Sequence, residues 1–171
     1  MSGRGKQLER ELGAIHAAYM AEGTAFIVRQ EVPTQQIGRK LVRVKRAVPD
    51  FFGFISQFFQ SDRWPDRFQP SCSSVLFDCK MTIRNRWPKS RGGGLETHQL
   101  DLLEKHSSMG GLSVVYVAYM PNEKREARID YILDVGKLEL CSATIPIAEM
   151  ERHGLRVHGC DWLEAVEEHW I

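Results

Sequence analysis

Eight consecutive residues, Leu112 to Tyr119 (Leu-Ser-Val-Val-Tyr-Val-Ala-Tyr), contain no charged side chain. β-Branched and aromatic residues at this density favour an extended strand. A strand apolar on both of its faces has to lie centrally in a sheet that is covered on both sides. This run therefore demands helices above and below it. The sequence supplies them. From Arg4 to Glu22, Leu8, Leu12, Ile15 and Tyr19 recur at spacings of three and four, which makes one apolar helix face, and Gly23 is a natural stop. Leu95 to Met109 reads as a second helix, with Leu95, Leu102 and Leu103 among its apolar positions and Gly110-Gly111 ending it.

Shorter extended segments surround these. Ala25 to Val28, the basic stretch with Leu41, Val42 and Val44, the aromatic stretch Phe51 to Ile55, Val75 to Thr82 and Ile129 to Val135 all read as strands. Pro33 to Gly38 reads as a turn, residues 60–73 as a loop, and residues 85–94 as a mobile basic loop. Ile147 to His153 and Asp161 to Trp170 read as short helices, with Asp161 as an N-cap. The order of helix, strands, helix, strands and helices predicts an α/β chain: a mixed central β-sheet flanked by helices. With 171 residues, no repeats and no linker, one domain spanning 1–171 is expected.

Composition excludes several classes. No apolar run approaches the roughly 20 residues that span a bilayer, so no membrane partner is expected. Nor does Met-Ser-Gly-Arg-Gly-Lys lead into the apolar stretch of a signal peptide, which predicts a cytoplasmic protein. Cys72, Cys79, Cys141 and Cys160 read as reduced thiols, and their spacing matches no zinc pattern. The six histidines form no paired metal-ligand spacing on one helix. No Gly-rich nucleotide loop is present, so no nucleotide cofactor is expected. The net charge of +1 conceals an asymmetry. Residues 1–93 carry 16 Lys+Arg against 8 Asp+Glu (+8), and residues 94–171 carry 7 against 14 (−7). The basic half suits a polyanion as well as it suits a plain solvated face.

The chemistry-bearing feature ends the run Val75-Leu76-Phe77. Asp78-Cys79-Lys80 follows it, twenty-eight residues after Pro49-Asp50. Residues two apart on a strand share a face, so Asp78 and Lys80 emerge side by side. Two carboxylates and an ammonium at strand ends suit a divalent cation set against a phosphodiester. Asp50 and Asp78 are the candidate ligands and Lys80 the group that orients or deprotonates water. Arg84, Arg86, Lys89 and Arg91 flank this strand, and Arg39, Lys40, Arg43, Lys45 and Arg46 form the densest basic stretch. These are the candidate DNA-binding residues, and Trp87 among them reads equally as a base-stacking partner or as a packed indole.

This arrangement resembles the PD-(D/E)xK nuclease superfamily, and within it the RecU/Hjc-type Holliday-junction resolvases. The resemblance to RecU runs along nearly the whole chain. It passes through Gly5-Lys6-Gln7-Leu8-Glu9, Ala25-Phe26-Ile27, Pro33-Thr34, Lys45-Arg46, Asp50, Asp78-Cys79-Lys80, His98-Gln99, Gly110-Gly111 and Ser113 to Val117. Asp78 stands where the family usually carries Glu, which the superfamily pattern admits. The segment corresponding to the family's protruding stalk is short here, with Arg39 to Arg46 as its reduced counterpart. The resemblance implies a restriction-endonuclease-like core and Mg²⁺, or Mn²⁺, held by Asp50, Asp78, the backbone carbonyl of Cys79 and Glu9. It also implies a water- or phosphate-orienting role for Gln99. The Cys79 thiol is expected to point away into the core. The implied activity is paired symmetric nicking of four-way junction DNA by a homodimer. The aromatic residues Phe51, Phe52, Phe54, Phe58 and Phe59 themselves read as core or dimer interface rather than a base-stacking platform. Two alternatives stay open: a nuclease of this type acting on duplex, flap or other repair substrates, or a DNA-binding module without catalysis.

Overall fold

The computed structural model describes residues 3–30, 34–37, 40–43, 48–57, 71–90, 92–121 and 128–170. The chain begins with α1 (Gly3–Glu22), then β1 (Ala25–Arg29), β2 (Thr34–Ile37), β3 (Lys40–Arg43), β4 (Phe51–Gln57) and β5 (Ser71–Thr82). It continues through β6 (Arg86–Pro88), α2 (Thr97–Ser108), β7 (Leu112–Tyr119), β8 (Ile129–Asp134) and a 3-10 helix (Val135–Leu140). The last elements are β9 (Thr144–Pro146), α3 (Ile147–His153), β10 (Leu155–Val157) and α4 (Trp162–Trp170). A six-stranded sheet in the order β1-β4-β5-β7-β8-β10 forms the centre. Only β5 and β7 pair in parallel, with α2 as the crossover between them; the other neighbours are antiparallel. The sheet is therefore mixed and helix-flanked, an α/β architecture.

The strand Leu112 to Tyr119 is central, and it is apolar on both sides because it serves two cores. Val114, Tyr116 and Ala118 pack with β5 residues Val75, Phe77 and Cys79 under α1 and α4. On the opposite face, Val115, Val117 and Tyr119 pack with Leu103 of α2, Leu138 of the 3-10 helix and Met150 of α3. At about 1.5–3 kcal/mol for each large side chain removed from water, these two layers are the main source of stability. Leu8, Leu12 and Tyr19 form the buried stripe of α1, which also buries Glu9 and His16. A Cβ on Gly53 of β4 would lie 2.1 Å from the Phe26 carbonyl oxygen, so only glycine lets β1 close on β4 there.

Several expectations change. Residues 34–37 are a strand rather than a turn. They pair with 40–43 in a two-stranded ribbon separate from the main sheet. The expected loop at 60–73 gives way at its end, since β5 already begins at Ser71 opposite Gln57; residues 60–70 lie outside the described residues. The expected basic loop contains β6, which pairs with β9. Within it Trp87 is fully buried and donates from Nε1 to the Gly93 carbonyl at 3.3 Å, so it is a core indole with no face for a base. Helix α2 starts at Thr97, two residues after Leu95. Asp161 accepts from the Glu164 amide at 3.3 Å, the N-cap contact expected at the head of α4. Cys79, Cys141 and Cys160 are free thiols. Among the described residues, no helix is long and apolar enough to cross a membrane.

Candidate active site

Asp78 is the eighth of the twelve residues of β5, on the face covered by α2, and it is fully buried. Its Oδ1 accepts from Gln99 Nε2 at 2.8 Å. Its Oδ2 has Lys80 Nζ at 2.7 Å but no hydrogen bond of good geometry. Lys80, two residues on and sharing that face, also donates to Gln99 Oε1 at 3.2 Å. One ammonium and one carboxylate are thus bridged by a single amide.

Gln99 can do this because of where α2 begins. It lies three residues after Glu96, and its Oε1 accepts from the Glu96 amide at 3.1 Å, as in a capping box. Its Nε2 also points at the Val48 carbonyl, 3.5 Å away, in the segment leading to Asp50. Asp50 reaches β5 from that segment. Its Oδ2 accepts from the Cys79 amide at 2.9 Å and from the Cys79 thiol at 3.0 Å. The expectation for that thiol is corrected here: Cys79 is buried within the core layer, but its sulfur turns toward Asp50.

The electrostatics follow from burial. Loss of water, followed by the neighbouring charge of Asp50, pushes the Asp78 carboxyl up to about 7, against the opposing pull of Lys80. Burial works against the Lys80 ammonium, yet Asp78 and Asp50 outweigh it and hold its proton more tightly than usual. Burial, reinforced by Asp50, raises the Cys79 thiol well above its ordinary range, so it stays protonated. A divalent cation beside these oxygens would reverse the penalty on Asp78.

The residues fit such a cation. Two carboxylates and a backbone carbonyl are hard oxygen donors of the kind Mg²⁺ prefers. The buried Asp78 Oδ2 makes no hydrogen bond of good geometry and has one cation beside it, the Lys80 ammonium at 2.7 Å. Glu9 is placed differently from the expectation. It is buried on α1 and contributes to the field at Asp78, but its carboxylate is ion-paired with Arg29 of β1. Among the described residues, Glu9, Asp50 and Asp78 do not bring three ligand oxygens within 4.8 Å of one another. Arg29 is the contributor that sequence reasoning missed; a lone basic residue ending an apolar strand gave no sign of its partner.

A cleft of about 1200 Å³ opens beside this cluster, lined by Glu9, Cys79, Lys80, Arg84, Arg86 and the glycines Gly92 and Gly93. Arg84 and Arg86 are exposed on its wall. Lys89 is not available in the same way, a second correction. Its Nζ donates to the carbonyls of Leu138 at 2.8 Å and Cys141 at 2.6 Å, so the ammonium ties two segments together. Lys40 and Arg43 stand at the ends of β3, with only their backbone described. Arg39, Lys45, Arg46 and Arg91 lie outside the described residues. His98 is half-buried, with Nε2 3.6 Å from Glu96, and touches neither aspartate.

Of the aromatic stretch, Phe51 is core, stacked edge-on against Phe77. Phe54 faces outward with Phe26 and Val28, all three exposed on the sheet face that α2 packs against. Phe58 and Phe59 lie outside the described residues.

No protein-family model matches the chain, and no curated protein matches it. Among solved structures it is similar to Archaeoglobus fulgidus Hjc, a Holliday junction resolvase from an archaeal hyperthermophile. The match is 15% identical with a TM-score of 0.45, and it covers 89% of this chain and 95% of that one.

Proposed function

We propose that this chain is a divalent-metal-dependent endonuclease that cuts DNA at four-way junctions by paired symmetric nicks. The observation that carries the nuclease reading is the joining of Asp50, Asp78, Lys80 and Gln99 at one end of β5, beside a cleft walled by arginines. Asp50, Asp78 and the carbonyl of Cys79 would hold Mg²⁺ or Mn²⁺, with Glu9 joining them on release from Arg29. When bound, the cation would polarise the phosphodiester and acidify a water.

The chain's own groups do the rest. Lys80 has three N–H bonds and spends two directions on Asp78 and Gln99. The third is free for a water or a phosphate oxygen, where a fixed ammonium both orients the nucleophile and offsets developing negative charge. Gln99 holds both partners of that ion pair in register. Arg84 and Arg86 would seat the phosphates on either side of the cut strand. The products would carry 5′-phosphate and 3′-hydroxyl ends.

Junction selectivity rests on the sequence resemblance and on assembly. A four-way junction has two-fold symmetry, and paired cuts ask for two sites related by a two-fold axis. The exposed Phe26 and Val28 of β1, an edge strand among the described residues, and Phe54 of β4 support a second copy as partner. The test is cleavage of a synthetic four-way junction and of its matched linear duplex, each with Mg²⁺ and with a chelator. Mg²⁺-dependent cutting confined to the junction is expected. Equal cutting of both substrates would leave a general nuclease, and no cutting of either would leave a binding module.

A further inference from the structure

The acidic half of the chain contains a group of side chains that the nuclease site does not use. Cys141 follows the 3-10 helix, and Glu149 and His153 lie one helical turn apart on α3. The ligand atoms of these three residues all fall within 4.8 Å of one another. The spacing between Glu149 and His153 puts both on one face of the helix. Cys141 is buried and the other two are half-buried, so the group is reached from one side. We propose that Cys141, Glu149 and His153 form a second metal site, distinct from the aspartate cluster and suited to zinc rather than magnesium.

The donor set decides the metal. A thiolate, an imidazole and a carboxylate match the ligands of Zn²⁺, which takes three protein ligands and keeps a fourth position for water. Mg²⁺ avoids sulfur and asks for oxygen. The carboxylate is already aimed. Ser142, next to Cys141, donates to Glu149 Oε1 from its amide at 2.6 Å, and its Oγ lies 2.6 Å from Oε2. That same hydroxyl also lies 2.7 Å from the Thr144 carbonyl. One hydroxyl hydrogen cannot serve both acceptors fully. Fixing a ligating carboxylate through a neighbouring hydrogen bond is the usual task of an outer shell.

On binding, the Cys141 S–H bond breaks and its proton passes to solvent. A sulfur–metal bond forms, and the sulfur gives up its 3.4 Å contact with the Lys137 carbonyl. The Lys89 ammonium is nearby and opposes a dication, but it is occupied by the Leu138 and Cys141 carbonyls.

The consequence reaches the cleft. The segment from Cys141 to Glu149 is joined to residues 85–89 by the β6–β9 pairing and by bonds from Lys89 N to Ala143 O at 3.0 Å and from Ile147 N to Asn85 O at 3.1 Å. A metal linking Cys141 to α3 would therefore brace the wall that presents Arg84 and Arg86.

The experiment titrates Co²⁺ into the full-length, reduced, chelator-stripped protein and follows the thiolate-to-cobalt charge-transfer absorption, then displaces it with Zn²⁺. One equivalent per chain is expected, with no displacement by Mg²⁺. Cys141→Ser should abolish the band. His153→Gln, at a half-buried position, and Ser142→Ala should each weaken binding by roughly tenfold or more. Asp78→Asn should leave the titration unchanged, which separates this site from the nuclease cluster. Absence of the band in the wild type, its persistence in Cys141→Ser, or its loss in Asp78→Asn would each overturn the proposal.

Discussion

Replacing Asp78 by Asn tests the electrostatics of the aspartate cluster without changing its shape. In the metal-free fold the Asp78 carboxyl is raised from 3.8 to about 7, first by burial and then by Asp50. At about 1.4 kcal/mol for each tenfold change in proton affinity, that amounts to about 4 kcal/mol. Because the folded value lies above the unfolded one, the stabilisation is complete below about pH 4 and is lost as pH rises toward 7. His16 works in the opposite sense. Burial lowers it from 6.5 to about 4, so its contribution, about 3 kcal/mol, is present above 6.5 and lost as pH falls toward 4.

Over the shared window these two contributions oppose each other. Asp78→Asn removes the first term and keeps the second. Between about pH 4 and pH 6.5 its stability should rise with pH by about 3 kcal/mol more than that of the wild type. Leaving the largely buried Lys80 without its carboxylate lowers the variant's stability as a whole, but it does not tilt the profile while Lys80 stays charged. Urea unfolding in chelator at a series of pH values reads the difference directly. If the wild-type and variant curves run parallel across this window, the account of Asp78 as a buried, charge-crowded carboxylate is wrong. Mg²⁺ at neutral pH should then stabilise the wild type and not the variant, and the variant should not cut DNA.

Gln99→Ala should lower stability by about 2 kcal/mol in urea unfolding, because the cap contact and the Asp78 contact go together. Cleavage should fall at least about tenfold, since Lys80 loses its second anchor; unaltered cleavage would remove Gln99 from the site. Replacing Arg84 and Arg86 together by Ala should reduce the slope of log affinity for junction DNA against log salt by about 2, whereas Lys89→Ala should leave the slope alone and lower the melting temperature. A slope that moves with Lys89 and not with the arginines would reverse their assignment. Phe26→Ser combined with Phe54→Ser should convert a dimer to a monomer in sedimentation and leave nicked circles, not linear DNA, as the lasting product from a cruciform plasmid. An unchanged mass would place the interface elsewhere.

The parts of the fold legible in the sequence are those whose pattern is local. Helix α1 announced itself by Leu8, Leu12 and Tyr19, and β7 by a run with no charge to expose. Strands β6 and β9 could not be read that way. Each has three residues, and Arg86-Trp87-Pro88 looks like a basic loop until Ile145, far along the chain, is known to lie opposite Trp87. Thr34-Gln35-Gln36-Ile37 sits among turn-forming residues, so its pairing with Lys40 to Arg43 outweighed a local signal that pointed to a turn. Within the site, the Asp78–Lys80 alternation follows from strand geometry alone. The targets of Lys89 and Arg29 do not, because each is a contact between elements distant in sequence.

The topology explains why these particular residues meet. Strands β5 and β7 are parallel, so the chain must cross back between them, and α2 makes that crossing. A helix that returns the chain to the start of a parallel neighbour begins beside the far end of the strand it follows. The first turn of α2 is thus brought to the end of β5, where Asp78 and Lys80 emerge, and Gln99 reaches both. Ligands of open α/β sheets collect at the carboxyl ends of strands for the same reason. The positive end of α2 adds its field to that of Lys80 there. Gln99 accepts from the Glu96 amide at that end while holding Asp78 and Lys80 together. A change that shifts the start of α2 by one residue would rotate Gln99 away by about 100° and disconnect the cap and the site together.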